Sequence, residues 1–120
     1  MNNGTPIVKI TQNGTMNAPV VLTNYPGDQP LIQFDSSSAI SMSDGAFLEI
    51  SGFEIAGPNQ RLTLSGAQAN RLTGEYKIYN GTAIAIWSGH HLLLANNLVH
   101  DCSSSGIRAN SGDYVSITQN

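Results

Sequence analysis

Residues 83–99, AIAIWSGHHLLLANNLV, decide the fold of this chain, because the pattern of their apolar residues occurs three times in the sequence. The same pattern lies 44 positions earlier in residues 39–55 (from 39 to 83) and 23 positions later in residues 106–120 (from 83 to 106). Within each window apolar residues recur at every second position, which is the periodicity of a β-strand. Self-similarity at about 23 residues indicates a stack of repeats.

Aligning the three windows assigns their residues to stacked rows. The apolar rows are expected to face inward and to form an aliphatic core: Ile40/Ile84/Ile107, Met42/Ile86/Ala109, Leu48/Leu92/Val115, Ile50/Leu94/Ile117 and Ile55/Val99. Gly45, Gly89 and Gly112 also align, and predict a bend between two strands. Asn97 and Asn120 align at a second bend, where their amides are expected to pass hydrogen bonds from one coil to the next.

Three short strands per repeat, each beside its counterpart, predict an all-β fold: a right-handed parallel β-helix, or solenoid, with about 23 residues per coil. Residues 1–38 are expected to form irregular N-terminal coils of this single domain, 1–120, because short β-rich runs alternate there with turn signals. The regular coils resume at 83–120. Solenoids need polar caps and Asn120 falls within a repeat, so we expect a fragment of a longer helix, truncated at its C-terminus.

The link between the first two windows, residues 56–82, is much longer than the link between the second and third. It has 27 residues, whereas the next link has six. The difference predicts an insertion looped out of one corner, so that residues 44 apart remain neighbours. Within it, Ser65 and Gln68 have the spacing of a capping box and Gly74 can end a helix, which together predict a short helix near 66–73.

The composition argues against several classes of partner. Charged residues make up 11% of the chain, the net charge is −3, and the basic residues are scattered along the sequence. We therefore expect neither a nucleic-acid nor a membrane partner. Cys102 is the single cysteine, so no disulfide forms within the chain. The first residues lack the basic end and apolar stretch of a signal peptide.

The outward rows carry the candidate functional residues. These rows are Ser41/Ala85/Arg108, Ser43/Trp87/Asn110, Ala46/His90/Asp113 and Phe47/His91/Tyr114. Trp87 and Arg108 are expected to be neighbours, where an indole stacks on a sugar ring and a guanidinium binds a carboxylate in a bidentate manner. His90 is expected to hydrogen-bond Asp113 as a proton-handling couple.

These assignments give a catalytic set of Arg108, His90 and Asp113. The substrate-binding set comprises Trp87, Asn110, His91 and Tyr114, and His91 is expected to stack between Phe47 and Tyr114. Two alternatives stay open: the insertion covers Trp87, or Arg108 is simply solvated. No metal site and no cofactor are expected within this segment, because His90, His91 and His100 do not converge as three or more ligands must.

Four stretches of the chain resemble a known superfamily. They are residues 18–30 (APVVLTNYPGDQP), 50–55 (ISGFEI), 90–102 (HHLLLANNLVHDC) and 105–108 (SGIR). They resemble the early coils of secreted bacterial parallel β-helix proteins of the pectate-lyase-like superfamily, and the nearest enzymes are the alginate and chondroitin lyases. The resemblance covers most of residues 18–120.

The resemblance implies a polysaccharide partner, in particular an anionic, uronate-containing glycan that is cleaved by β-elimination; a glycoside hydrolase is a further enzyme class that it allows. It also implies a full-length protein that is secreted, periplasmic or on the cell surface, and that can use calcium. The family's Lys/Arg pair and acidic calcium cluster find no match here, and no outward lysine is expected beside Arg108. A non-catalytic, adhesin-like glycan-binding β-helix and a structural stalk therefore remain alternatives.

Overall fold

The computed structural model describes residues 4–120, and the chain is mostly β-strand. The strands are β1 (Val8–Ile10), β2 (Val20–Thr23), β3 (Leu31–Gln33), β4 (Ser38–Met42), β5 (Gly45–Ser51), β6 (Glu54–Ala56), β7 (Thr82–Ala95), β8 (Leu98–His100) and β9 (Ile107–Thr118). One α-helix, α1 (Leu64–Thr73), and two 3₁₀ turns, Asn59–Arg61 and Lys77–Asn80, lie between β6 and β7 in the described chain. The all-β prediction is confirmed at this level.

The named strands pair in parallel and form two sheets. The larger sheet has the order β1-β4-β7-β5-β2, with β9 also paired to β7, and the smaller sheet has the order β3-β6-β8. Ile84 pairs with Ile40 on one side and with Ile107 on the other. Residues 44 apart are therefore neighbours across the insertion, as the alignment of the windows predicts.

Two of the three windows contain one long strand rather than two short ones. In β7 and β9 the chain continues through the predicted bend, and Gly45, Gly89 and Gly112 pair with one another there. Gly89 has φ of +150°, a conformation that L side chains rarely adopt. The bend therefore turns the strand without ending its hydrogen-bonded ladder.

The described part of residues 1–38 contributes three strands, and each pairs with one strand of the first window: β1 with β4, β2 with β5 and β3 with β6. Val8 pairs with Ile40, Val20 with Leu48, and Ile32 with Ile55. The corresponding shifts are 32 (from 8 to 40), 28 (from 20 to 48) and 23 (from 32 to 55), so only β3 follows the 23-residue period. The connections between β1, β2 and β3 are longer than those between β4, β5 and β6, so this part of the chain does not keep a constant period. Met1–Asn3, which the predicted domain includes, lie outside the described residues.

The predicted inward rows form the core where a strand has neighbours on both sides. Ile40, Ile84, Leu48, Leu92, Ile50 and Leu94 are all buried. The last members of two rows depart from the prediction: Ile117 is 51% exposed and Val115 is only partly buried. Both belong to β9, which pairs with β7 alone among the described strands, so one side of each residue is uncovered.

The predicted asparagine ladder is confirmed. The Asn97 side chain accepts a hydrogen bond from the Phe53 N–H (3.2 Å) and donates to the Ile50 carbonyl (3.0 Å). One repeat further on, Asn120 accepts from the Asn97 N–H (3.1 Å) and donates to the Leu94 carbonyl (2.7 Å). These bonds satisfy backbone groups where the chain leaves one strand for the next.

The insertion contains the predicted helix, with a different start. The N-cap of α1 is Thr63, whose hydroxyl accepts from the Gly66 N–H at 3.1 Å, so the predicted capping box at Ser65 is wrong. Thr63 has extended backbone angles and can therefore cap, whereas Ser65 already lies within the helix. The predicted end is confirmed, because Gly74 is the C-cap with φ of +64°.

Candidate functional site

A groove on the outer face of the larger sheet contains the predicted pair Trp87 and Arg108. Its volume is about 340 Å³. The residues that line it are Gly4, Pro6, Lys9, Ser37, Ser38, Ser41, Ser43, Lys77, Asn80, Trp87 and Arg108. Strands β1, β4, β7 and β9 supply the floor, and the 3₁₀ turn Lys77–Asn80 of the insertion supplies one wall.

The guanidinium of Arg108 lies over the indole of Trp87, with 4.6 Å between its carbon and the ring centroid. The predicted contact is therefore confirmed, and a cation over an aromatic face stabilises it. Trp87 is 48% exposed, so the insertion borders the indole without covering it. The Nε atom of Arg108 is buried and has no hydrogen-bond partner, which leaves a donor of this side chain unsatisfied.

The groove is more basic than the sequence indicates. Lys9, Lys77 and Arg108 all line it, and none of its described lining residues is an aspartate or glutamate. Basic residues that are scattered along the sequence therefore line one groove in space, and the expectation that no lysine stands directly beside Arg108 stays a prediction. The folding of β1 and of the insertion onto the sheet brings the three cations to one groove.

Lys9 and Arg108 lie at the two ends of one row of the sheet. Lys9 pairs with Ser41, Ser41 with Ala85, and Ala85 with Arg108. Three strand spacings of about 4.8 Å separate the two ends by roughly 14 Å, and only small side chains stand between them. The 23-residue alignment does not place Lys9 in this row, because β1 pairs with a shift of 32 and no signal in the sequence marks that shift.

A second row of outward residues lies past the bend at Gly89. The His91 ring stacks on Phe47 (4.6 Å between centroids, 16° between planes) and on Tyr114 (4.7 Å, 23°). The predicted stack is therefore confirmed. Phe47, His91 and Tyr114 all have φ near +50°, and this shared left-handed geometry aims the three rings the same way. Tyr114 is 78% exposed.

The predicted couple between His90 and Asp113 does not form. The two residues are paired in the sheet, but within residues 4–120 no hydrogen bond or ion pair joins their side chains. Nδ1 of His90 instead lies 2.9 Å from Nδ1 of His91, because the left-handed turn at His91 brings both imidazoles to the same side. Their predicted catalytic roles stay predictions, and neither residue lines the groove.

The remaining predicted binding residues also lie outside the groove. Asn110 stands opposite Trp87 in the register, between the pairs Ile86–Ala109 and Ser88–Ser111, but it is not part of the groove lining. The aromatic stack with His91 and Tyr114 forms a separate row. The structure thus brings together Trp87 and Arg108, and it leaves the other predicted site residues on neighbouring rows.

A group of polar side chains centred on His100 lies on the smaller sheet. His100 bonds Asp101 through Nδ1 (2.6 Å) and Glu54 through Nε2 (3.1 Å), and Gln60 donates to Asp101 (2.8 Å). The hydrogen bonds to Asp101 and then to Glu54 raise the pKa of His100 above its usual value. The hydrogen bonds from His100 and Gln60 lower the pKa of Asp101. Glu54 and His100 come from different strands, β6 and β8, so the sequence gives no sign of this contact.

No group of three or more metal-ligating side chains is arranged to hold an ion in the described part of the chain. The described helices include none with the length and apolar character that crossing a bilayer requires. Comparison of the chain with protein-family models, with curated proteins and with solved structures finds no match. The geometry and chemistry of the groove are therefore the basis for a functional proposal.

Proposed function

We propose that the two parallel sheets belong to a right-handed parallel β-helix that binds an acidic polysaccharide in the groove. Three features support the helix: parallel pairing of the described strands, shifts of 23 and 44 residues between partners, and the ladder from Asn97 to Asn120. The right-handed sense follows from the handedness of nearly all parallel crossovers.

The observation that carries the binding proposal is the guanidinium of Arg108 held against a half-exposed Trp87 in a groove lined by further cations. A uronate sugar presents an apolar ring face and a carboxylate, and these are the two groups that indole and guanidinium recognise. The serine hydroxyls that line the groove offer hydrogen bonds to the remaining sugar hydroxyls.

A polymer fits this arrangement better than a single sugar. The row from Lys9 to Arg108 crosses four strands and has cations at its ends, whereas its middle contains only the small side chains of Ser41 and of Ala85, which is buried. A glycan that runs along the row can place successive carboxylates near successive cations. The contact with Trp87 also fixes the Arg108 side chain before the ligand arrives, so less side-chain entropy is lost on binding.

The second candidate function is cleavage of that glycan by β-elimination. Its supporting observation is that two lysines share the groove with Arg108. In this reaction a base removes the C5 proton, the C4–O bond breaks, and the departing oxygen takes up a proton as a C4–C5 double bond forms. Arg108 would neutralise the carboxylate beside C5, which makes that proton easier to remove.

Calcium, which the resemblance brings in, does not fit this groove. Ca²⁺ needs several oxygen ligands, usually including carboxylates, whereas the described lining contains three cations and no aspartate or glutamate. The binding proposal and the β-elimination proposal therefore draw on side chains alone. A polysaccharide partner is consistent with a secreted or cell-surface protein, and that location stays a prediction.

Fluorescence of the single tryptophan, Trp87, provides the test. We expect oligogalacturonate or oligomannuronate to change the emission at low salt, and added salt to weaken binding by screening. Arg108→Gln should reduce the affinity about tenfold, because one charge-assisted hydrogen bond contributes roughly that factor to binding. Arg61→Gln, which removes the same charge outside the groove, is the matched control.

The outcomes separate the functional classes. Binding of uronates but not of neutral cello-oligosaccharides supports the proposal, and no binding to either overturns it in favour of a stalk. A rise in ultraviolet absorbance on incubation with polyuronate reports unsaturated sugar ends and supports β-elimination. Binding without that rise, with and without calcium, leaves the glycan-binding module and excludes the lyase.

A further inference from the structure

A second pocket lies inside the insertion, between helix α1 and the 3₁₀ turn that follows it. We call it the insertion pocket; its volume is about 290 Å³. Its lining residues are Ala67, Asn70, Arg71, Gly74, Tyr76, Lys77, Tyr79 and Asn80. Lys77 and Asn80 also line the groove, so the two depressions meet at the turn Lys77–Asn80.

The insertion pocket is built by fixed contacts on both of its sides. On the helix side, the Asn70 side chain accepts a hydrogen bond from the Tyr76 N–H (2.7 Å). The main-chain carbonyl of Asn70 accepts a hydrogen bond from the Gly74 N–H (2.6 Å). These bonds tie the end of α1 to the start of the turn. The separation between the two walls is therefore set by Asn70.

The other side of the pocket is bonded to Ser103, which lies in the connection between β8 and β9. Ser103 accepts a hydrogen bond from the Gly81 N–H (2.9 Å) and donates to the Ile78 carbonyl (2.6 Å), so one side chain bonds a residue within the turn and the residue that follows it. Ile78 of this turn, near the end of the insertion, is buried. The turn that separates groove and pocket is thus held in place against the sheet.

The charge of the insertion matches an acidic ligand. Residues 56–82 contain Arg61, Arg71 and Lys77 but a single carboxylate, Glu75. Arg71 lines the insertion pocket, whereas Glu75 lines an adjoining depression and lies beside Tyr76, whose pKa its charge raises. Tyr76 and Tyr79 add aromatic rings to the lining, so the pocket offers the same two kinds of contact as the groove.

We propose that the insertion pocket is a second subsite for an acidic sugar unit of the polysaccharide that binds in the groove. This inference rests on the proposed function. A chain that lies in the groove reaches the pocket over Lys77 and Asn80, and Arg71 meets a carboxylate there. Occupying two linked subsites raises the affinity of a long chain because the second contact is intramolecular. The insertion therefore sets the preferred length of the ligand.

The test compares a short and a long ligand of the same sugar, a tri- and an octagalacturonate, on three variants of the full chain. Arg71→Gln should lower the affinity for the octamer about tenfold and leave that for the trimer unchanged. Arg108→Gln should weaken binding of both. Arg61→Gln, which removes a charge from the insertion but not from the pocket, should weaken neither at moderate salt.

The results distinguish failure of this inference from failure of the proposed function. If Arg71→Gln binds the octamer like the unmodified chain while Arg108→Gln is impaired, the second subsite is wrong and the groove stands. If the unmodified chain binds neither ligand, the proposed function itself fails. If Arg71→Gln and Arg61→Gln lose the same affinity for both the trimer and the octamer, the effect of charge is diffuse, and the subsite is also overturned.

A substitution without a change of charge supplies an independent arm. A Cβ at Gly66 would collide with the Tyr79 hydroxyl, so Gly66→Ala must shift the hydroxyl end of Tyr79. We expect selective loss of affinity for the octamer, with the trimer affinity and the near-ultraviolet signal of Trp87 unchanged. Unaltered octamer binding by a Gly66→Ala protein whose Tyr79 has moved would contradict the subsite.

Discussion

The stacked strands and the insertion differ in how they are held together. In β4, β5 and β7 the inward residues are buried and pair with neighbours on both sides. In helix α1 no residue of Leu64–Thr73 is buried, and Leu72 is 89% exposed. The helix is held by its caps and by a few side-chain bonds. The strands thus carry the stability of the chain, and the insertion supplies a wall that the repeat cannot build.

The difference between the strands and the irregular segments also explains why the groove is basic. The outward rows of the strands contain mostly small residues near Trp87, such as Ser41 and Ala85. Lys77 and Asn80 enter from the insertion, and Lys9 enters from the irregular first part of the chain. The regular repeat therefore provides a flat and stable floor, and the irregular segments provide charge and depth.

The largest expected effect is a cavity in the strand core. Ile84→Ala should lower the free energy of unfolding by about 2–5 kcal/mol, because Ile84 is fully buried between Ile40 and Ile107. Leu72→Ala in the insertion should change it by less than about 0.5 kcal/mol, because Leu72 is exposed. Urea unfolding monitored by Trp87 fluorescence measures both. Similar losses in the two variants would mean that the helix is part of the core.

The next effect compares two glycines with positive φ. Gly89→Ala should cost about 1–3 kcal/mol, because a Cβ there would collide with the Gly45 carbonyl oxygen of the neighbouring strand. Gly74→Ala meets no atom within 4 Å and should destabilise only the end of the helix, by roughly 1 kcal/mol. Urea unfolding reports the first and far-ultraviolet circular dichroism the second. A cooperative loss from Gly74→Ala would contradict the separation of the two regions.

The smallest effect concerns the link between the insertion and the smaller sheet through Gln60, Asp101 and His100. The raised pKa of His100 means that its contribution to stability is complete below the ordinary histidine value of about 6.5 and is lost as the pH rises through the folded-state value. The lowered pKa of Asp101 adds stability above the ordinary carboxyl range, which is lost as the pH falls through the folded-state value.

His100→Gln should therefore flatten the decline of the urea midpoint as the pH rises above about 6.5. The expected change is small, because these side chains are partly exposed and solvent screens them. Glu49→Gln, on the neighbouring strand and in contact with Ser51 rather than a histidine, is the control. An unchanged midpoint profile in His100→Gln would show that the cluster does not stabilise the fold.

The sequence predicts the parts of the molecule that follow its period. The partners of Ile84, the stack around His91, the Asn97–Asn120 ladder and the contact between Trp87 and Arg108 are all predicted from one alignment. The hydrogen bond expected between His90 and Asp113 is missing because a left-handed residue at position 91 rotates the imidazoles. A backbone dihedral of one residue is a local choice that the apolar period does not encode.

The sequence by itself determined which residues are stacked within the three repeated windows, because burying alternate apolar side chains allows only one register once the 23-residue period is set. Only the tertiary structure decided which charges share a groove. Lys9 and Lys77 come to the groove of Arg108 through connections of irregular length, and the path of such connections depends on packing rather than on local pattern. The alignment stacks Ile55 on Val99, but the contacts of His100 with Glu54 and Asp101 depend on side-chain orientations that the apolar pattern does not specify.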